Sequence, residues 1–250
     1  MEGVRGGAKK INPVRAICTV LAAENFNELK RLAESLSTAM AELRLDYLLW
    51  ALGEQRLPLE DVMELAERLK RRGVEVIVTL RERSEGGLYS GSPVRKAEIV
   101  AELSSAVGVA ADLELSYERV SDVASELKRR GAKLIVSSHE LSSALSRDDL
   151  RSRILRGFRL GADVVKVVYR ASRIEDNIAA LEACAMFSGR VVSFCVGRLG
   201  VVSRILSPLF GAPFTYAYPA GGTPTAEGQL TVEELVRVWT KLGLAEERST

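Results

Sequence analysis

The sequence is poor in the residues that build metal centres and disulfide frameworks. It contains one histidine and three cysteines, Cys18, Cys184 and Cys195, which are odd in number and far apart along the chain. Zinc sites need clustered Cys and His ligands, and disulfide frameworks need paired cysteines. We therefore expect no metal site and no disulfide framework, and a reducing cytoplasm fits this cysteine usage best.

The sequence also lacks an excess charge of one sign and long hydrophobic runs. Its 35 Lys and Arg residues nearly balance 33 Asp and Glu residues, which gives a formal net charge of +2. This balance predicts no general attraction to nucleic acid or to a membrane surface. No apolar stretch is long enough to span a bilayer. The basic runs at 70–72 and 128–130 each precede a glycine, which is typical of helix C-termini.

What the chain does contain is a strict alternation of short apolar runs and longer amphipathic ones. The short runs predict strands over residues 16–21, 41–49, 75–80, 107–113, 133–138, 163–169, 191–196 and 214–217. The amphipathic runs predict helices over residues 26–38, 59–72, 93–105, 117–130, 147–160, 174–187, 201–209 and 232–244. Alternating strands and helices require parallel strands joined by crossover helices.

Eight such units in a chain of 250 residues predict an α/β fold that is a single (β/α)8 TIM barrel. An open doubly wound sheet is the alternative, but the first strand runs into AENFNELK without a G-x-G-x-x-G fingerprint. We expect one domain over 1–250, with the barrel over about 16–244. The ends, 1–13 and 245–250, are expected to be loosely ordered.

One lysine interrupts a run of valines in the sixth predicted strand, GADVVKVVYRAS. Side chains alternate between the two faces of a strand, so Lys166 shares its face with Val164 and Val168. An unpaired buried ammonium costs several kcal/mol, so Lys166 must be paired or neutral. Nearby cations and a low dielectric lower the pKa of a lysine, and a neutral lysine forms imines with ketones. We interpret Lys166 as a Schiff-base lysine, with Arg44 and Arg81 as the nearby cations.

Four other strands also carry ionisable groups toward their carboxyl ends, where such barrels hold their active sites. These groups are Glu42, Arg44 and Asp46 on the second strand, Arg81 and Glu85 after the third, Asp112 on the fourth and His139 on the fifth. The second-strand triplet predicts two carboxylates around one arginine, although an exposed edge strand would show the same alternation. His139 is the side chain suited to move protons in both directions near neutral pH, and Glu85 or Glu42 could orient its ring.

Together these residues resemble a known family. The motifs ELRLD, LRERSEGG, SSHEL, ADVVKVVYRAS, GRLGVVSR, FGAPFTYA and AEGQ occur in the order seen in type I 3-dehydroquinate dehydratase. The resemblance extends from about residue 16 to residue 244. It implies a cofactor-independent lyase that converts 3-dehydroquinate to 3-dehydroshikimate, the third step of the shikimate pathway of aromatic amino-acid biosynthesis. It also implies a homodimer in the cytoplasm, with no nucleic-acid or membrane partner.

The resemblance assigns a role to each motif residue. Lys166 forms the imine, His139 gives and takes the proton in a syn elimination of water, and Glu85 is a polar partner that orients the histidine. The remaining matched positions bind the substrate, namely Glu42, Arg44, Arg81, Arg204, Thr225 and Gln229, or support the site, namely Asp46 and Asp112. Arg204 matches the arginine that holds the substrate carboxylate, and Thr225 and Gln229 match a closing loop.

Four positions depart from the family pattern, and two other functions stay open. Phe194 and Val196 stand where methionines are frequent, Thr225 replaces a serine, and Glu227 replaces a proline. These changes concern the shape of the pocket and the closing of the loop. A class I aldolase acting on a sugar phosphate would use GRLG at 197–200 to hold phosphate. A catalytically silent binding barrel would have no need of a costly buried lysine opposite a histidine.

Overall fold

The computed structural model describes residues 10–53 and 56–245. Its centre is one parallel sheet of eight strands in the order β7-β6-β5-β4-β3-β2-β1-β8. The strands are β1 Ile17–Leu21, β2 Met40–Arg44, β3 Glu75–Thr79, β4 Ala110–Glu114, β5 Leu134–Glu140, β6 Val164–Arg170, β7 Val191–Val196 and β8 Thr215–Ala217. The sheet curls into a nearly closed barrel, which confirms the predicted (β/α)8 fold class.

Helices connect the strands and cover the outside of the sheet. They are α1 Pro13–Ala16, α2 Phe26–Glu34, α3 Leu45–Leu52, α4 Leu59–Arg71, α5 Pro93–Val107, α6 Val120–Arg129, α7 Arg147–Arg159, α8 Asp176–Met186, α9 Val201–Leu206 and α10 Val232–Lys241. Capping side chains fix several starts: Asn25 caps α2, Ser146 caps α7, and Thr231 forms a capping box with Glu234 on α10. The basic runs end α4 and α6, as predicted.

The apolar side chains separate into two main layers. The larger layer lies between the helices and the outer face of the sheet. The smaller layer fills the barrel interior and consists of Cys18, Val20, Ile77, Ile135, Val168, Val192, Phe194, Val196, Phe214 and Tyr216. Because alternate residues of each strand point inward, polar side chains further along the same strands also face the barrel axis.

Helix α9 spans the seam between the two outermost strands of the sheet. The Ser203 hydroxyl accepts a hydrogen bond from the Cys195 backbone N–H on β7, at 2.9 Å. On the other side, the Thr215 hydroxyl of β8 donates to the Arg204 carbonyl, also at 2.9 Å. Gly200 lets the helix approach β7 closely, since a Cβ there would lie 2.5 Å from the Cys195 carbonyl carbon.

The second predicted strand is too long. β2 ends at Arg44, and α3 begins at Leu45, so the prediction that Asp46 lies on the strand face of Glu42 and Arg44 is wrong. The reason is the apolar spacing of LDYLLWAL, in which Leu45, Leu48 and Leu49 are buried together on one helical face. The other predicted elements are present, with ends that differ by no more than four residues.

The expectation of loosely ordered ends is wrong where the structure describes them. Ile11 and Ala245 form a parallel bridge, and the Ile11 N–H donates to the Leu244 carbonyl at 2.7 Å. Both residues are buried in a third apolar cluster, in which the fully buried Trp239 donates to the Ile205 carbonyl. The remaining parts of those ends, 1–9 and 246–250, lie outside the described residues.

Candidate active site

A cavity opens at the carboxyl ends of the strands. Its lining combines charged side chains from the strand ends with apolar side chains from the barrel interior and a loop before α10. The lining residues are Val20, Glu42, Arg44, Arg81, Glu85, Gly86, His139, Leu141, Lys166, Val168, Arg170, Phe194, Val196, Arg204, Tyr216, Thr225, Ala226, Glu227 and Gln229. Nine of the eleven sequence-predicted site residues are in this set, and Asp46 and Asp112 lie behind it.

Lys166 lines this cavity and has two carboxylates near its amine, but a hydrogen bond to neither. Its Nζ is 3.8 Å from Glu42 Oε1 and 3.7 Å from Asp112 Oδ2, which is too far for a hydrogen bond to either oxygen. The ammonium lies 4.0 Å from the ring centroid of Tyr216, within cation–π range. Burial lowers the pKa of Lys166, opposed by Glu42 and Asp112 and assisted by Arg81 and Arg44.

The carboxylates near Lys166 are hydrogen-bonded to other groups. Glu42 Oε1 accepts the hydroxyl hydrogen bond of Thr79 at 2.8 Å. Asp112 Oδ1 accepts a short hydrogen bond from the Ser137 hydroxyl. Each carboxylate thus has a donor other than the lysine, which reduces its need for the ammonium as a partner. This arrangement favours a Lys166 amine that can lose its proton.

Arg44 is paired with a carboxylate of its own segment. Its Nε and Nη2 donate to the two Asp46 oxygens at 2.8 and 2.7 Å, a bidentate pair, and Asp46 also accepts the Leu88 N–H at 3.1 Å. The prediction of two carboxylates around this arginine is wrong for Glu42, which contacts Thr79 and faces Lys166 instead. Because β2 ends at Arg44, the turn into α3 brings Asp46 back beside the guanidinium.

Arg81 is held by two carboxylates of β4. Its Nη2 forms an ion pair of 2.8 Å with Asp112 Oδ2, and its Nη1 lies 3.0 Å from Glu114 Oε1. The same Nη1 donates to the Ser137 hydroxyl at 2.7 Å. The Asp112 pKa is lowered because Arg81 and Lys166 outweigh the effect of burial, so this carboxylate stays ionised.

Glu85 and His139 form a buried pair at the edge of the cavity. Glu85 Oε2 lies 2.8 Å from His139 Nδ1 and accepts the His139 backbone N–H at 2.9 Å. Of the two carboxylates considered for orienting the ring, Glu85 is therefore the one in contact with it. With Nδ1 donating to the carboxylate, Nε2 is the ring nitrogen free to accept a proton. The tight turn after β3 requires glycine, since a Cβ at Gly87 would lie 2.0 Å from the Arg81 carbonyl oxygen.

The charge state of the imidazole follows from its surroundings. The His139 side chain is only 10% exposed. Burial lowers its pKa well below the usual value, and the cations Arg81 and Lys166 lower it further. The ring is therefore neutral near pH 7 and can act as a base toward a bound molecule.

Arg204 is a buried cation with no carboxylate partner in the part of the chain that the structure describes. Its Nε and Nη2 have no hydrogen-bond partner among the described residues, and its Nη1 makes one long contact, 3.4 Å, to the Tyr216 carbonyl. The guanidinium lies 4.2 Å from the Phe194 ring centroid. Burial lowers the Arg204 pKa to about 10, which leaves the group charged at neutral pH. An unpaired buried guanidinium at a cavity wall is a receptor for an anion that the protein does not itself supply.

The loop before α10 covers one side of the cavity. Gln229 Oε1 accepts the Thr225 N–H at 2.7 Å and lies 3.2 Å from the Thr225 hydroxyl, which ties the two residues together. The loop is attached to the barrel by the Gly197 N–H, which donates to the Glu227 carbonyl at 3.2 Å, and by an ion pair of 3.1 Å between Glu227 and Arg170. Glu227, one of the four departures, thus contacts the strand that carries Lys166.

Sequence reasoning missed several polar residues that support the site. Lys96, on α5, is fully buried between Glu114 and Glu82 and lies 4.8 Å from the Tyr117 ring centroid. In the sequence, Lys96 resembles any surface lysine of an amphipathic helix. Only the three-dimensional packing shows that it is buried. Tyr216 on β8 and Phe214, which immediately precedes the strand, belong to the same inward-facing cluster, and this alternation could have placed the Tyr216 ring near Lys166.

Metal and membrane features are absent from the part of the chain that is described. No group of three or more His, Cys, Asp or Glu side chains there could hold a metal ion. Within the same residues, no helix is both long and apolar enough to cross a bilayer. All three cysteines are free and buried.

Comparison with known proteins identifies the family of the chain. The chain matches the family model of type I 3-dehydroquinase over residues 17–246. It is 31% identical over 224 residues to the 3-dehydroquinate dehydratase of Dehalococcoides mccartyi, covering 89% of this chain and 94% of that protein. The crystal structure of the 3-dehydroquinate dehydratase from Aquifex aeolicus has a TM-score of 0.72 at 27% identity, covering 90% of this chain and 98% of the other. The enzyme of the same name from Geobacillus kaustophilus, at 23% identity, shares the fold with a TM-score of 0.80 over 93% of both chains.

The buried network around Arg81 leads to a stability prediction. Replacing Lys96 by Met removes the cation between Glu114 and Glu82, so we expect the free energy of unfolding to fall by roughly 3–5 kcal/mol in urea titrations. The matched control is Lys133→Met, which breaks an exposed ion pair with Glu75 and should change stability little. A Lys96→Met variant as stable as this control would show that the network does not depend on Lys96.

Proposed function

The chain belongs to the type I 3-dehydroquinase family, and on this premise we propose that it dehydrates 3-dehydroquinate to 3-dehydroshikimate through a lysine Schiff base. The reaction is the third step of the shikimate pathway. The observation that carries the proposal is one cavity that holds a buried lysine without a hydrogen-bonded counterion, a neutral histidine and an unpaired arginine.

Lys166 is the nucleophile of the proposed mechanism. Its neutral amine adds to the C3 ketone of the substrate, and loss of water from the adduct gives the imine. Burial, Arg81 and Arg44 all favour the neutral amine by lowering its pKa. The protonated imine then withdraws electrons from C2 and makes the C2 proton more acidic.

His139 moves the proton in the elimination. Its Nε2 removes the C2 proton, which gives an enamine and an imidazolium. The enamine expels the C1 hydroxyl, and the imidazolium returns the proton to that oxygen, so water leaves and the histidine is restored. Glu85 supports both steps, since its carboxylate at 2.8 Å from Nδ1 stabilises the transient positive charge. Hydrolysis of the product imine regenerates the lysine.

The other lining residues bind and orient the substrate. Arg204 holds the substrate carboxylate, because its Nε and Nη2 offer two donors to a planar anion. Glu42, Arg44 and Arg81 face the substrate hydroxyl groups from the strand ends, while Asp46 and Asp112 fix the two arginines. Thr225 and Gln229 close the cavity from the loop before α10.

A class I aldolase acting on a sugar phosphate fits the site less well. Such an enzyme needs free backbone N–H groups at 197–200 to hold phosphate. The Gly197 N–H donates to Glu227 and the Gly200 N–H donates to Gly197, so these two amides are already bonded within the protein. A silent binding barrel gives no reason for the lowered Lys166 pKa beside a histidine.

The cellular setting remains a prediction from the family resemblance. We propose a homodimer in the cytoplasm, without cofactor and without a nucleic-acid or membrane partner. The barrel over about 16–244 is proposed to act as a single catalytic domain. Analytical ultracentrifugation of the purified chain tests the oligomeric state. A sedimentation coefficient that fits a monomer at all concentrations would contradict the proposed homodimer.

The first functional prediction concerns turnover. Purified protein mixed with 3-dehydroquinate should generate the conjugated enone absorbance of the product. His139→Ala should reduce kcat by at least about 10²-fold, since it removes the proton carrier, while imine formation remains possible. Ser84→Ala, an exposed change beside the site, is the control and should keep full activity. Full turnover by the His139→Ala enzyme would remove this residue from the mechanism.

The second functional prediction compares the loss of Arg204, the proposed anion-binding residue, with the loss of Gln229 on the loop before α10. Arg204→Ala should weaken substrate binding by about 2–5 kcal/mol, because a buried carboxylate loses its charged partner. Gln229→Ala should be milder, since it removes one neutral contact of a surface loop. Steady-state KM and kcat of both variants measure the difference. Unchanged KM and kcat in Arg204→Ala would exclude it from the site.

A further inference from the structure

The Glu85 carboxylate lies between two pockets. On one side it borders the main cavity through His139. On the other it faces a second pocket, open to the surface and lined by Ser84, Glu85, Leu115, Ser116, Ser138, His139, Glu140, Arg153 and Arg156. Ser116 lines this second pocket only, at the turn after β4, and it is exposed to solvent. The histidine and its carboxylate can therefore be reached from a side where no substrate lies.

The two oxygens of Glu85 have different partners. Oε2 receives both hydrogen bonds from His139, one from the backbone N–H and one from Nδ1. Oε1 accepts a short hydrogen bond from the Ser116 hydroxyl, which is its one protein donor among the described residues. Without Ser116, this oxygen would face the solvent pocket alone, and the carboxyl group could rotate or accept a proton there.

We propose that Ser116 is a positioning residue for the reaction. Its hydroxyl holds Glu85 ionised, with Oε2 turned toward the imidazole, and thereby fixes the His139 tautomer whose Nε2 faces the main cavity. The proposal rests on the proton-transfer role given to His139 above. Ser116 itself touches no substrate, because it lies outside the cavity that contains Lys166.

The balance at Glu85 shows why one hydroxyl matters. Burial raises the Glu85 pKa, while Arg81, the Ser116 hydroxyl and the His139 backbone N–H lower it and Asp112 raises it. Loss of the Ser116 hydrogen bond therefore raises this pKa further, and the Glu85–His139 pair takes up a proton at a higher pH. The charged groups that surround the pair are Arg44, Arg81, Asp112, Lys166, Glu140, Arg153 and Arg156.

The chain's single histidine makes a direct test possible. In untagged protein labelled with ¹⁵N-histidine, every imidazole signal belongs to His139, and its nitrogen shifts report the tautomer and the titration without substrate. The wild type should show Nδ1 protonated and Nε2 free. In Ser116→Ala, we expect the midpoint of the titration to rise by roughly half to one pH unit, the size of one hydrogen bond.

Enzyme kinetics give the second measurement. In Ser116→Ala the acid limb of kcat/KM should move to higher pH by the same amount, and kcat should fall by about 10-fold with little change in KM. Ser116→Thr keeps a hydroxyl, so its acid limb of kcat/KM and its titration midpoint should lie at the wild-type pH values. Ser84→Ala removes another hydroxyl that lines this pocket but does not hydrogen-bond to the Glu85 carboxylate, so it should match the wild type.

The outcomes separate this inference from the proposed function. A Ser116→Ala protein that titrates like the wild type, or a Ser116→Thr protein that behaves like Ser116→Ala, would overturn the role of Ser116. A wild-type protein that shows the predicted tautomer and titration but does not dehydrate 3-dehydroquinate would refute the proposed function instead. In that case the titration of the Ser116→Ala protein would still decide whether this hydroxyl controls the Glu85–His139 pair.

Discussion

The pairing of buried cations is the constraint on which the whole site depends. Four buried cations, Lys166, Arg44, Arg81 and Arg204, line the cavity, and charges buried there must be compensated. Arg44 is matched by Asp46, and Arg81 is matched by Asp112 and Glu114. Asp112 is shared between Arg81 and Lys166, whose amine has two carboxylates within 4 Å but no hydrogen-bonded counterion, so a neutral amine is within reach. Arg204 has no carboxylate partner among the described residues, which leaves its guanidinium available to an anion.

The same pairing links the site to the outer layer of the barrel. Glu114 joins Arg81 to Lys96 on α5, and Lys96 in turn contacts Glu82 in the loop after β3. Removing one charge from such buried ionic networks destabilises the protein by more than the intact networks stabilise it. Their effect is geometric, since each guanidinium is held in one orientation. A substrate then meets donors that are already in place, which reduces the reorganisation that catalysis requires.

The sequence could predict the fold because its signals are local and periodic. Eight apolar runs separated by amphipathic ones leave few alternatives to a parallel barrel, and Lys166 among valines identified an inward-facing amine. Asp46 shows where local patterns fail. The alternation around it predicted a strand, but the segment forms a helix because Leu45, Leu48 and Leu49 pack together on one helical face. Lys96 and Ser116 could not be found, because their partners come from other segments, 18 and 31 residues away in the sequence.

Borohydride trapping during turnover tests the central claim, that Lys166 acts through an imine. Reduction of the imine gives a stable secondary amine, and peptide mapping should place one added ligand mass on the segment that contains Lys166. The fully buried Lys96, outside the cavity, should remain unlabelled. Lys166→Arg should show no label, since a guanidinium stays protonated and forms no imine. A ligand attached to another lysine, or normal turnover by the Lys166→Arg protein, would contradict the account.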